Sequence, residues 1–151
     1  MHYGNIFSLL KKKFGHEWKL YTKHAFVKKL SNNTLLIENF LDYLVQDYLF
    51  LIQFSKAWSL AIVKADNLAE MKSCSNTVNG LINFEIDLHI KLCQEYGISA
   101  EILNNANEKN KNIAYTRFVL ESGYSGDFLD LLATLIPCVI GYAEIGTNLK
   151  N

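Results

Sequence analysis

Apolar residues recur three or four positions apart along most of the chain, and no stretch alternates regularly between apolar and polar residues. The first spacing is typical of amphipathic helices, whereas half-buried strands show the second. The chain holds one proline and eight glycines, so few residues would interrupt a helix. The sequence therefore predicts an all-α protein. The predicted helices cover about residues 17–30, 37–63, 66–96, 113–122 and 128–149, with Ser99 capping a further short helix.

The connections between these helices are short. A polar run at residues 31–34 predicts a turn, Gly97 predicts a left-handed residue after the third helix, and residues 123–126 separate the last two helices. Long helices with short connections favour an antiparallel bundle, whose binding sites are built from side chains that point inward. No repeat or change in composition divides the sequence, so we expect one domain over residues 1–151.

Charge and cysteine content exclude several classes of protein. Fifteen basic side chains balance fifteen acidic ones, and the lysines are mostly scattered, so nucleic acid is not an expected partner. Cys74, Cys93 and Cys138 are odd in number and lack CxxC spacing, which argues against a disulfide framework and a zinc ribbon. The apolar run at residues 131–143 is shorter than the roughly 20 residues that cross a membrane. We expect a cytoplasmic protein without a membrane partner, and a buried core helix at this run.

An aspartate lies among the apolar positions of the second predicted helix. Burying an unpaired carboxylate costs several kcal/mol, so Asp47 must find hydrogen-bond partners, take up a proton or serve a ligand. A structural aspartate is one interpretation. Tyr43 and Phe50 favour a ligand, because they could sandwich a flat ring beside the carboxylate. The positions that share this helix face are Phe40, Leu44, Asp47, Leu51, Phe54 and Trp58.

The third predicted helix also carries an acidic residue among the apolar positions of one face. Glu85 lies on its apolar face and His89 follows one turn later, so the two are expected to form a structural pair that orients neighbouring groups; a catalytic role is the alternative. Di-iron bundles need a Glu-x-x-His motif from each of two helices, whereas this chain has one Glu-x-x-x-His, so no metal is expected. The apolar face consists of Val78, Leu81, Glu85, Leu88, Leu92 and Tyr96.

Cys138 follows Pro137, the only proline, inside the last predicted helix. A proline within a helix removes one N–H donor and clashes with the carbonyl four residues back, here that of Ala133, so we expect a kink that makes the thiol approachable. The alternative is a buried cysteine that only fills space. Tyr142 lies one turn further on the same face and could place its hydroxyl near the thiol.

Taken together these segments resemble the TenA family, thiaminase II, from about residue 18 to residue 149. The stretch Pro-Cys-x-x-x-Tyr-x-Glu-x-Gly is the most specific of them. The matching segments are residues 43–48 (YLVQDY), 85–89 (EIDLH), 114–116 (AYT), 125–128 (SGDF), 135–138 (LIPC) and 141–146 (GYAEIG).

The resemblance implies a haem-oxygenase-like helical bundle, usually a homotetramer, without metal or organic cofactor. It implies hydrolysis of thiamin, or of 4-amino-5-aminomethyl-2-methylpyrimidine, to hydroxymethyl pyrimidine for thiamin salvage. The residue matching the family's nucleophile is Cys138, and Asp47 matches the aspartate that hydrogen-bonds the aminopyrimidine edge. Tyr115 and Tyr142 match tyrosines that bind the ring and position the thiol, and Phe50 matches a ring-stacking position.

The resemblance also implies further helices beyond residue 151, which in full-length relatives carry an aromatic binding residue and a glutamate that transfers protons. We therefore expect a C-terminally truncated bundle. It could be a remnant, could be completed by a separate polypeptide, or could receive groups from another protomer. Two functions follow as alternatives: an aminopyrimidine hydrolase, or a catalytically inactive helical protein that at most binds a pyrimidine or a partner.

Overall fold

The computed structural model describes residues 4–150, and within that range it contains helices and no strands. The predicted all-α fold is confirmed. The α-helices are α1 (Asn5–Lys13), α2 (Gly15–Thr22), α3 (Ala25–Ser31), α4 (Ile37–Lys64), α5 (Leu68–Gly80), α6 (Ile86–Glu95), α7 (Ala100–Asn105), α8 (Asn110–Ser125) and α9 (Phe128–Leu149), and a π-helical segment, Leu81–Glu85, joins α5 to α6.

The helices fall into two compact units. The first unit comprises the described parts of Met1–Leu36 and Leu135–Asn151, and the second is Ile37–Thr134. Helix α9 begins in the second unit and ends in the first. The expectation of one domain over residues 1–151 stays a prediction, and residues 1–3 and 151 of that range lie outside the described residues.

Trp18 on α2 organises the first unit. Its ring makes edge contacts with Phe7 and Tyr21, at centroid distances of 5.2 and 5.7 Å. Its Nε1 donates to Oε2 of Glu144 on α9 at 3.0 Å, and the Lys11 ammonium reaches the same oxygen. Two N-terminal helices are thus held to the C-terminal half of α9 through one carboxylate.

Helix α4 forms the centre of the second unit. Leu44 and Tyr48 on α4 are buried with Cys93 of α6 and Leu103 of α7, and this cluster is the core of the unit. The Tyr48 hydroxyl donates to Asn104 Oδ1 at 3.1 Å, which satisfies its polar end within an apolar surrounding. The predicted helix at 37–63 is confirmed, because its observed bounds are Ile37–Lys64.

The prediction of one helix over 17–30 is wrong, because the helix is interrupted at Lys23 and His24. The His24 side chain caps α3 by accepting a hydrogen bond from the Phe26 N–H at 3.2 Å. A side chain that accepts a hydrogen bond from a free helix N–H marks the start of a helix. Here a new helix, α3, starts within a stretch whose apolar spacing had predicted one continuous helix.

Other connections were predicted with mixed success. Gly97 has φ +79°, as predicted for the end of the third helix, and Ser99 accepts the Ile102 N–H at 3.2 Å as a cap. The predicted break at residues 123–126 is shorter than expected, because α8 continues to Ser125. A Cβ added at Gly123 would lie 2.7 Å from Leu60 Cδ2, so this glycine permits close helix packing and does not form a turn.

Helix α9, with 22 residues, is long and apolar enough to cross a membrane by those two criteria, which corrects the argument from its shorter apolar run. Core helices of proteins without membrane spans can satisfy the same criteria. Leu131 and Leu135 are fully buried whereas Leu129 and Val139 are exposed, so the expected core helix is buried on one face only. Pro137 lies within this continuous helix, and the kink stays a prediction.

Candidate active site

Asp47 lies on the buried face of α4, as its spacing predicts. The residue is 8% exposed, and Leu44, Leu51 and Phe54 on the same face are 2%, 3% and 8% exposed. Because an unpaired carboxylate in such a surrounding would be strongly unfavourable, its partners determine what it can do.

Two donors converge on one oxygen of this carboxylate. The Tyr43 hydroxyl lies 3.0 Å from Asp47 Oδ2, and His89 Nε2 lies 2.8 Å from the same atom. Tyr43 is one turn back on α4, whereas His89 comes from α6. The side chains of His89 and Asp47 are 14% and 9% exposed, so water screens their attraction weakly.

The π-helical segment explains why His89 faces inward. A π turn holds one more residue than an α turn, so the apolar face after Leu81 moves by about one position. The predicted face continued through Glu85 and Leu88, but both are exposed, whereas Ile86 and His89 are partly buried and Cys93 is buried. The apolar face predicted for this helix is therefore wrong at Glu85 and Leu88, whereas Leu92 packs against the core as predicted.

Glu85 and His89 interact differently from the predicted side-chain pair. His89 Nδ1 lies 2.8 Å from the backbone oxygen of Glu85, and the Glu85 side chain remains accessible to solvent. Partial desolvation of the carboxyl group nevertheless raises the pKa of Glu85. Attraction by His89 lowers this pKa, and repulsion by Asp47 raises it. His89 in turn hydrogen-bonds Asp47, and the orienting role of the pair stays a prediction.

Aromatic rings extend from Asp47 along the same side of α4. Phe50 lies nearly parallel to Tyr115 of α8, with 6.1 Å between ring centroids and 18° between planes, and it also stacks on Phe54. The Tyr115 hydroxyl donates to the backbone oxygen of Thr134 at 2.9 Å, one turn before Cys138 along α9. The structure thus brings together Asp47, His89, Phe50 and Tyr115 within the second unit.

The remaining candidates lie on α9 in the first unit. Cys138 is partly exposed, and Tyr142, one turn later, is 45% exposed. Gly141 between them faces α2, because a Cβ added there would lie 2.3 Å from Tyr21 Cε1. The N-terminal helices therefore pack directly against the helix turn that carries the thiol.

The other two cysteines are poor nucleophiles. Cys74 and Cys93 are 2% and 0% exposed. Burial raises the pKa of both thiols, and Glu70 adds to the increase at Cys74. A raised pKa leaves less of the reactive thiolate at neutral pH. Cys138 is partly exposed, so it is the most accessible of the three thiols. Within residues 4–150 no cluster of three or more His, Cys, Asp or Glu side chains is arranged to hold a metal ion.

Sequence reasoning missed two contacts, the His89–Asp47 bond and the link from Lys11 and Trp18 to Glu144. The first depends on the π turn, for which residues 81–85 carry no pattern that we recognise. The second joins positions 133 and 126 residues apart, beyond the reach of helix periodicity.

Comparison with known proteins identifies the family. Residues 12–151 match the TENA/THI-4/PQQC family, and the chain belongs to it. A solved structure from a Silicibacter species, described as a TenA family transcription regulator, is 54% identical with a TM-score of 0.96, over 98% of this chain and 66% of that one.

Two curated relatives also match this chain in sequence. An uncharacterised protein of Haemophilus influenzae is 41% identical over 85% of this chain and 59% of its own length. The aminopyrimidine aminohydrolase of Halalkalibacterium halodurans is 34% identical over 89% of this chain and 60% of its own length. The chain thus spans about three fifths of these relatives. The solved relatives are TenA proteins, and the chain has their haem-oxygenase-like helical fold.

Proposed function

We propose that the chain is an aminopyrimidine hydrolase of the thiaminase II type, acting in thiamin salvage. The observation that carries this proposal is the buried Asp47, held at one oxygen beside the stacked rings of Phe50 and Tyr115. A carboxylate next to parallel aromatic rings suits a flat heterocycle with an amino group, since the rings contact its faces and the carboxylate accepts its N–H. Family membership and relatives named aminopyrimidine aminohydrolase support the same substrate class.

The proposed nucleophile is Cys138. Its thiolate adds to the pyrimidine ring, the amine or thiazole leaves from the exocyclic methylene, and water replaces it before the thiolate is released. Covalent catalysis of this kind divides one difficult displacement into easier steps. Tyr142, one turn from Cys138, is proposed to position the thiol, and Tyr115 and Phe50 to bind the ring.

The remaining features of the proposal follow from the family. We propose a cytoplasmic homotetramer that needs no metal or organic cofactor. The family resemblance implies that a glutamate supplies the proton transfer at the pyrimidine.

The test is turnover of 4-amino-5-aminomethyl-2-methylpyrimidine, followed by chromatography of the hydroxymethyl product. We expect Cys138→Ser to lose at least about a hundredfold in rate, since a hydroxyl is a far weaker nucleophile than a thiolate at neutral pH. Cys74→Ala, which removes a buried thiol, is the matched control and should retain turnover. No turnover by folded wild-type protein, or equal turnover by Cys138→Ser, would contradict the proposal.

A further inference from the structure

The hydrogen bonds around His89 specify where its protons lie. Nδ1 lies 2.8 Å from the backbone oxygen of Glu85, and a carbonyl oxygen can only accept, so Nδ1 carries a hydrogen. Nε2 lies 2.8 Å from Asp47 Oδ2. A second proton must therefore lie between Nε2 and Oδ2, because two lone pairs at that distance would repel each other.

The position of this second proton decides the charge of the pair. On Nε2 it gives an imidazolium beside a carboxylate, and on Oδ2 it gives a neutral imidazole beside a carboxylic acid. The Tyr43 hydroxyl also points to Oδ2, and two donors on one oxygen favour the ionised acid. The hydrogen bond with Asp47 raises the pKa of His89 above 6.5, although burial opposes the increase.

We propose that His89 is a positioning residue that fixes the Asp47 side chain through Oδ2, with Oδ1 directed to the amino edge of a bound aminopyrimidine. Both described hydrogen bonds of this carboxylate end on Oδ2. Oδ1 is thus the oxygen with acceptor capacity for a ligand. The ligand part of the proposal rests on the proposed function, whereas the protonation of the pair does not.

The arrangement makes ligand binding depend on pH. The charged groups acting on the imidazole are Asp47 from α4 and Glu85 from the turn before it, and both favour the cation. Below the raised pKa of His89 the ion pair is intact. As pH rises through that pKa, the imidazole keeps one N–H for two acceptors, Glu85 O and Asp47 Oδ2, so the ring no longer donates to both and holds the carboxylate less firmly. Pyrimidine affinity should therefore fall as pH rises through the raised pKa of His89.

The experiment measures the ring nitrogens of His89 by ¹⁵N NMR in the protein without ligand, with His89→Gln used to assign the signals. We expect the pKa of His89 to lie above the ordinary histidine value, with both ring nitrogens protonated below that raised pKa. In Asp47→Asn its pKa should fall. A His89 pKa at or below the ordinary histidine value, or one that is unaffected by Asp47→Asn, would overturn the proposal.

A second arm measures binding of hydroxymethyl pyrimidine by calorimetry across the pH range. We expect His89→Gln to weaken binding at neutral pH by roughly ten- to a hundredfold and to remove the alkaline decrease. His16→Gln is the matched control and should bind like wild type. Equal affinity and an equal pH profile in His89→Gln would also overturn the proposal. If wild-type protein binds no pyrimidine, the proposed function fails, while the NMR titration still decides whether Asp47 holds His89 as a cation.

Discussion

Two carboxylates in this protein accept hydrogen bonds from similar pairs of donors, but they differ in how they respond to pH. Asp47 in the second unit accepts from a tyrosine and a histidine, and Glu144 in the first unit accepts from Trp18 and Lys11. Each thus combines an aromatic donor with a basic group. The difference lies in the base, because histidine changes charge near neutral pH whereas lysine does not.

Burial separates the two sites further. The side chains of Glu144 and Lys11 are 22% and 42% exposed, against 9% and 14% for Asp47 and His89. Burial alone would raise the pKa of Glu144, but hydrogen bonds from Lys11 and Trp18 outweigh it and the pKa is lowered. Two similar arrangements of donors therefore have different consequences. The one at Glu144 links helices in the first unit, whereas the one at Asp47 in the second unit contains a histidine that can change its charge.

Removing the buried carboxylate should have the largest effect on stability. Asp47→Ala removes the oxygen to which both the Tyr43 hydroxyl and His89 Nε2 donate, so we expect a loss of about 3 kcal/mol in the free energy of unfolding. Urea denaturation measures it. The matched change in the first unit, Glu144→Ala, should cost clearly less, and equal losses would contradict the distinction between the two sites.

A methyl group at Gly141 should have the next largest effect. Its Cβ would lie 2.3 Å from Tyr21 Cε1, and overpacking of this kind costs about 1–3 kcal/mol. Gly146→Ala on the same helix is the matched control, because nothing lies within 4 Å of its added Cβ. The control should stabilise the helix by up to about 1 kcal/mol. Thermal unfolding distinguishes the two, and a neutral Gly141→Ala would mean that α2 does not pack tightly there.

The smallest expected effect is that of Glu144→Gln, which keeps the shape and removes the charge. A partly exposed ion pair contributes at most about 1 kcal/mol. Since the pKa of Glu144 is lowered on folding, its contribution is present above pH 4.5 and is lost as pH falls through the lowered value. Denaturation across acid pH should show a shallower decline in Glu144→Gln, and parallel profiles would contradict the link to Lys11.

The sequence predicted the elements that obey simple helix periodicity. It placed α4 within one residue, gave the bounds of α9, and identified Asp47 as buried, because these helices keep one face throughout. It was wrong where a local exception overrides periodicity: the cap at His24 divides one predicted helix, and the π turn rotates α6. Helix spacing suggested the places of Cys138, Tyr142 and Phe50, the family resemblance added their roles and that of Tyr115, and all four roles stay predictions.

The most direct test of the account is the melting temperature of wild-type protein, Asp47→Asn and Glu144→Gln with and without hydroxymethyl pyrimidine. A ligand that binds the native state raises its stability, by about 2.7 kcal/mol at a hundred times its Kd. We predict that the ligand raises the melting temperature of wild type and Glu144→Gln by similar amounts and leaves Asp47→Asn unchanged. An equal increase in Asp47→Asn, or none in wild type, would contradict the assignment of Asp47 as the pyrimidine acceptor.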